Sequence, residues 1–204
     1  MSISLVTKIR YGNTNTFLIR GSKGSILIDT GYAGTLPAFY KTIKEFGIKV
    51  SDINYILATH YHPDHIGLVS ELMDQGVKLI LLKSQVNYVH YSDTIFAKEP
   101  NLNYKPIDER KASVLSFEDA HSFLDSLGIN GNIGQTHSHS EDSIYISLSD
   151  GTFILGDLEP LEYLEAYQDN TELRDDWKEI LSQKPKRLLY AHANERFIRN
   201  PDTF

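Results

Sequence analysis

The stretch "ATHYHPDHIG", Ala58 to Gly67, sets His60, His62, Asp64 and His65 within six residues. It follows an apolar run, "INYIL". The residues after it carry Ile66, Val69, Leu72 and Met73 at helical spacing as far as Gly76. The reading is a strand, a ligand-rich turn and a helix. Pro63 suits the first helical position, where a missing N–H costs nothing. Residues two apart in an extended chain point the same way, so His60 and His62 can reach one ion. Asp64 and His65 fall on the first helical turn, point elsewhere, and suit a second ion close by. The plain alternative is a charged surface turn, which would strand four polar side chains between two apolar runs.

Composition narrows the chemistry. The 204 residues include no cysteine, which excludes disulfides, thiolate metal sites and cysteine nucleophiles. Any ion must be held by nitrogen and oxygen, a set that suits zinc first, and iron or manganese as well. The formal charge is −7, so a phosphate backbone is repelled. A small-molecule substrate is expected and nucleic acid is not. No run of about 18 apolar residues would span a membrane. "MSISLVTKIRYGN" has no apolar stretch of signal-peptide length, so the reading is cytoplasmic.

The remaining pattern is mixed. "ISLVTKIRY", "NTFLIRG" and "GSILIDTG" read as a meander of short strands, and "YAGTLPAFYKTIKEFGI" as a helix stopped at Gly47. "VKLILL" is a strand. Residues 84–110, aromatic-rich and broken by Pro100 and Pro106, read as a helix and then a mobile loop, a lid over the site. "FEDAHSFLDSLGI" is an amphipathic helix and "SIYISLSDGTFILGD" a hairpin turning at Asp150-Gly151. "EYLEAYQDNTELRDDWKEILSQ" is mainly helical, and "RLLYAHAN" is a last strand. The sum is two sheets sandwiched by helices in a single domain, 1–204.

Further ligand types stand at strand ends. "GQTHSHSEDS" holds His137 and His139, and spacing alone does not choose between them. Asp157 ends "FILGD", where a carboxylate could bridge two ions; His192 ends "LLYAH". Asp29 ends "SILID" and could hold a ligand histidine by its other nitrogen. Taken singly, Asp157 and Asp29 read as turn formers and His192 as a capped strand end. Tyr88, His90, Tyr91 and Tyr163 are candidate substrate contacts.

On these residues the chain resembles the metallo-β-lactamase-fold superfamily of metallohydrolases. "THYHPDHIG" matches its Thr-His-x-His-x-Asp-His-x-Gly hallmark, and Asp29, the His of "THSHSEDS", Asp157 and His192 follow in the family's order. The resemblance implies an α+β fold, a four-layer αββα sandwich, with a dinuclear site at one edge. It implies two divalent metal ions: His60, His62 and His139 on the first, Asp64, His65 and His192 on the second, with Asp157 and a hydroxide bridging. Asp64 would also orient the nucleophile and accept its proton. Aligning Thr136 with the family's Thr puts His139 on the ligand position and leaves His137 a neighbouring, supporting role. The family's usual Pro-Gly before that histidine is His137-Ser138 here. "GDLEPLEYLEAYQDN" is similar to a branch of small bacterial members with no assigned substrate. The implied activity is hydrolysis of a small ester, thioester or lactone. The alternatives are a small phosphodiester, or a non-hydrolytic iron-binding redox role on the same ligands.

Overall fold

A computed structural model describes residues 5–167 and 169–199. Three strands, β1 (Leu5–Arg10), β2 (Asn15–Arg20) and β3 (Ser25–Ile28), make an antiparallel meander. Parallel strands β4 (Tyr55–Leu57), β5 (Lys78–Leu82) and β6 (Ser113–Leu115) extend it in the order β1-β2-β3-β4-β5-β6. The second sheet comprises β7 (Gly131–Gln135), β8 (Ile144–Leu148), β9 (Thr152–Ile154), β10 (Arg187–Leu189) and β11 (Arg196–Phe197). Its order is β11-β10-β9-β8-β7, with β9 and β10 parallel. The helices are α1 (Leu36–Glu45), α2 (Pro63–Ile66), α3 (Val69–Met73), α4 (Asp93–Phe96), α5 (Phe117–Ser126) and α6 (Thr171–Ser182).

The period-2 alternation of strand side chains divides the apolar residues between layers. Phe17, Ile19, Ile26 and Ile28 meet Ile133, Ile144, Ile146 and Ile154 between the two sheets. Leu18, Leu27, Ile56 and Leu79 point outward, under Phe39 and Ile43 of α1 and Val69 and Leu72 of α3. Tyr145, Phe153 and Leu188 point outward from the other sheet, under Leu173, Trp177 and Ile180 of α6. Burial on both faces explains why these strands read as nearly continuous apolar runs. The result is the αββα sandwich of two mixed sheets flanked by helices. No helix among the described residues is long and apolar enough to cross a membrane.

Three local expectations need correction. The helix read from Pro63 to Met73 is two pieces. The His65 carbonyl accepts from the Thr30 N–H at 2.8 Å and the Thr30 hydroxyl at 3.1 Å, and Leu68 N–H donates to that hydroxyl. Gly67 lies against the 31–33 backbone, where a Cβ would collide with Ala33 N. Backbone groups that would continue the helix are spent on the loop after β3. Residues 84–110 are not a loosely packed loop. Gln85, Val89, Ser92, Phe96 and Ile107 are buried, and α4 lies among short 3-10 turns. Gln85 Nε2 donates to the Ala58 carbonyl at 2.9 Å and Ser92 Oγ to the Tyr61 carbonyl at 2.6 Å, so this segment is fastened to the ligand-bearing turn. The helical reading from Glu162 holds only from Thr171, where the Asn170 side chain accepts the Leu173 N–H at 2.9 Å and starts α6.

Candidate metal centre

The exits of β4, β7, β9 and β10 converge at one edge of the sandwich. They bring together two sets of ligand atoms, each within 4.8 Å of one another: His60, His62, His139 and Asp157 in one, and Asp64, His65 and His192 in the other. In the first set His139 Nε2 stands 3.1 Å from both His60 Nε2 and His62 Nδ1. Asp157 Oδ2 faces this set, 3.7 Å from His60 Nε2 and 3.6 Å from His139 Nε2. Its other oxygen, Oδ1, faces the second set, 3.1 Å from His65 Nε2 and 3.2 Å from His192 Nε2. Asp64 Oδ2 lies 3.0 Å from His192 Nε2, and Asp64 Oδ1 lies 3.8 Å from His65 Nε2.

The support behind these atoms is specific. Asp29 is buried at the end of β3 with φ 61°, a left-handed conformation that Asp tolerates better than most residues. Its Oδ1 accepts the Thr59 N–H at 2.7 Å and its Oδ2 lies 3.0 Å from His65 Nδ1. That contact places the proton on Nδ1 and turns the Nε2 lone pair into the site. The Thr59 hydroxyl lies 3.2 Å from His60 Nδ1 and 2.9 Å from Asp29 Oδ2, so one hydroxyl serves both sets. Gly156 has φ 57°, and a Cβ there would meet Thr59 Oγ1 at 2.7 Å, so the residue before Asp157 must be glycine. His192 Nδ1 lies 3.3 Å from the Asn13 carbonyl, and Thr14 Oγ1 donates to the Asp64 carbonyl at 2.9 Å.

Electrostatics differ between the sets. Burial pushes His60 and His139 below the ordinary histidine value, leaving neutral imidazoles. Burial pushes His65 down too, but Asp29 and Asp157 outweigh it and raise the group to about 10. Hydrogen bonds to Asp157 and Asp64 raise His192 to about 10. Burial pushes both Asp157 and Asp64 up, yet the facing histidines outweigh it and hold both below the usual carboxylate range. Neutral imidazoles offer lone pairs directly, whereas a cation in the second set must displace protons. Buried His65 Nε2 and Asp157 Oδ1 face one another at 3.1 Å. Once the imidazole gives up its Nε2 proton, both atoms turn lone pairs to one another, an arrangement that fits a cation between them. The all-nitrogen-and-oxygen set fits divalent zinc, iron or manganese.

Other sequence expectations land elsewhere. His137 is exposed and belongs to neither set; its backbone N–H, not its ring, is engaged, 3.0 Å from each oxygen of Asp176. Only Tyr91 of the three candidates in residues 84–110 has its ring against a ligand, 5.6 Å from that of His62. Tyr88 donates to Glu141. Both ring nitrogens of His90 are turned to carboxylates, Asp93 at 2.8 Å and Glu109 at 3.1 Å, so its expected substrate contact is not supported. Tyr163 is 52% exposed and does not line the cleft beside Asp157, where Tyr190, Leu158 and Pro160 stand. Sequence reasoning missed Asp176, and also Asp142, which accepts the Tyr61 N–H at 2.7 Å between His60 and His62. Nothing local marks either one.

The fold and this geometry define an αββα scaffold with a candidate metal centre at one edge. The chain belongs to the metallo-beta-lactamase superfamily, whose profile matches residues 9–192. It is 26% identical over 182 residues to a beta-lactamase-like protein 2 homolog of Drosophila melanogaster, covering 89% of this chain and 59% of that one. It is 32% identical over 80 residues to a protein described as a diflavin flavoprotein in Synechocystis sp., covering 39% of this chain and 14% of that one. The chain therefore spans less than two thirds of these relatives. Among solved structures, a metallo-beta-lactamase family protein from Thermus thermophilus superposes with a TM-score of 0.64 at 20% identity, covering 95% of this chain and 74% of that one.

Proposed function

We propose that the chain is a hydrolase that holds two divalent metal ions and cleaves a small, uncharged ester, thioester or lactone. The observation that carries this reading is the division of Asp157, with one oxygen turned to each ligand set. In such a pair the ions would supply Lewis acidity and lower the pKa of water to about 7. His60, His62 and His139 would hold the first ion, Asp64, His65 and His192 the second, and Asp157 both. Asp64 has a second task. It is the more exposed of the two carboxylates, 35% against 15% for Asp157, and lines one of the clefts, where it could orient a water and take its proton.

Two clefts open on the centre. One lies against Tyr11, Asn13, Tyr32, Thr35 and Asp64, the other against His139, Asp157, Leu158, Pro160 and Tyr190. Neither is lined by Lys or Arg, and the chain carries a net −7. Beyond the two ions themselves, an anionic substituent held away from the centre would find no Lys or Arg among the described residues that line these clefts, which favours a substrate whose remainder is neutral. The test is metal analysis of protein purified without chelator, with a panel of neutral esters, thioesters and lactones beside their carboxylate-bearing analogues and a bis-aryl phosphate. Turnover of the neutral members supports the reading; a metal-replete protein active only on the phosphate overturns it. The likeness to a diflavin flavoprotein favours a second, redox reading with iron in the same ligands. Visible absorbance from the as-purified centre would support that instead.

A further inference from the structure

The apolar face of α6, Leu173, Trp177 and Ile180, is locked into the core on the outer face of the second sheet. From this fixed helix two consecutive residues reach two site loops. The Asp176 carboxylate, 5% exposed, accepts the backbone N–H of His137 at 3.0 Å and of Ser138 at 2.9 Å. Trp177 Nε1–H donates to the Glu159 carbonyl at 3.0 Å. The first loop ends in His139, and the second carries Asp157. Those two residues are the half of the first ligand set that the turn after β4 does not supply.

We propose that α6, chiefly through Asp176, is the positioning element that pre-forms this half of the set, standing in for the Pro-Gly that precedes the ligand histidine in the family pattern. The proposal rests on the metal-centre reading above. A proline at position 137 would stiffen the loop and present no N–H. His137-Ser138 restores both freedom and two backbone donors, and a loop donor near a buried surface needs an acceptor. Asp176 satisfies both with one ionised group, and such hydrogen bonds are roughly twice as strong as neutral ones. The convergence it maintains is not self-sustaining. His60 Nε2 and His62 Nδ1 both stand 3.1 Å from His139 Nε2, three ring nitrogens crowded at one point, so the His139 loop must be held there from behind. Asp176 touches no ligand side chain; it acts through the loop backbone.

The experiment compares wild type with Asp176→Ala, Asp176→Asn, and Asp176→Ala combined with His137→Pro and Ser138→Gly. Zinc affinity is read by chelator competition, and the His137 and Ser138 amide protons by NMR in metal-free protein. Wild type should show both amides slow to exchange. Asp176→Ala should lose that protection and bind one of its two ions about 10–100-fold more weakly, the range for groups that support ligands. The Pro-Gly combination should restore most of the affinity without Asp176. Fast-exchanging amides in wild type, wild-type affinity in folded Asp176→Ala, or a folded Pro-Gly combination without rescue would each overturn the clamp. If Asp176→Ala does not fold, Asp176→Asn with the same readouts decides. Protected amides in a wild-type protein that binds no metal would instead overturn the metal centre.

Discussion

Replacing Asp29 with Asn should weaken metal binding at the second ligand set while leaving the fold nearly intact. The two oxygens of Asp29 have incompatible replacements. Oδ1 accepts the Thr59 N–H at 2.7 Å, and Oδ2 faces His65 Nδ1 at 3.0 Å. An amide carries one acceptor and one donor. If its oxygen stays toward Thr59, its NH2 faces His65 Nδ1. The ring must then accept there and carry its proton on Nε2, the atom turned toward Asp157. If the amide flips, its NH2 meets the Thr59 N–H donor to donor. The first arrangement keeps the backbone hydrogen bond and sacrifices the ligand tautomer. The expected loss is about 10–100-fold in affinity, or ~1.4–2.8 kcal/mol. Asn tolerates the φ of 61° at this position. Asp29→Ala is a different perturbation. It orphans the buried Thr59 N–H, worth about 1–3 kcal/mol, while the β-carbon at this left-handed position is common to both residues. The alanine variant should thus lose about 1–3 kcal/mol of stability in the metal-free protein. Zinc competition and urea unfolding of metal-free protein separate the two effects. Asp29→Asn with wild-type affinity for both ions would refute the tautomer argument. Equal metal-free stability of the Ala variant and wild type would refute the backbone argument.

Asp157→Ala should nearly abolish turnover and lower metal content with the fold retained, because both sets lose their shared oxygen ligand; two ions held at wild-type affinity in elemental analysis would show a mere turn residue. His139→Ala should remove most metal and activity, while His137→Ala, a change to an exposed ring whose backbone N–H remains, should keep both ions; metal lost only in the His137 variant would reverse the assignment. Tyr91→Ala should alter substrate preference with little change in melting temperature, given its ring beside His62 and its 58% exposure; an unchanged preference across the panel removes it from the site. His90 gives a pH dependence. The Asp93 hydrogen bond, then Glu109, raises its pKa above 6.5 in the folded chain, while Tyr104 donates to the other Asp93 oxygen. Its contribution is therefore full below the unfolded value and fades as pH rises through the raised one. The melting-temperature gap between wild type and His90→Gln should shrink with rising pH, and a constant gap would exclude the ion pair as its cause.

What could be read from the sequence, and what could not, divides on the range of the interactions. The strands β2 to β5 are legible because both faces are buried, which forces apolar runs such as "KLILL", and the largely exposed edge strand β1 is legible from its β-branched run. The β4 turn is legible because His60, His62, Asp64 and His65 crowd one place between such runs. Strands β6 and β11, of three and two residues, are too short to carry a period. The fastening of residues 84–110 was hidden because its anchors, Gln85 and Ser92, are polar residues that bond backbone carbonyls 27 and 31 positions away. Asp142 and Asp176 are of the same kind. Their partners are backbone N–H groups 81 and 39 positions distant, so neither leaves a mark on its own neighbourhood. The one trace of Asp176 lies in "THSHSEDS" rather than beside Asp176 itself. Where the family pattern has a proline, His137 supplies an N–H that must be satisfied near a buried site. Losing a proline from a ligand loop both adds a donor and removes a constraint. A carboxylate on a core-anchored helix answers both demands at once, and a water or an exposed side chain would answer only the first.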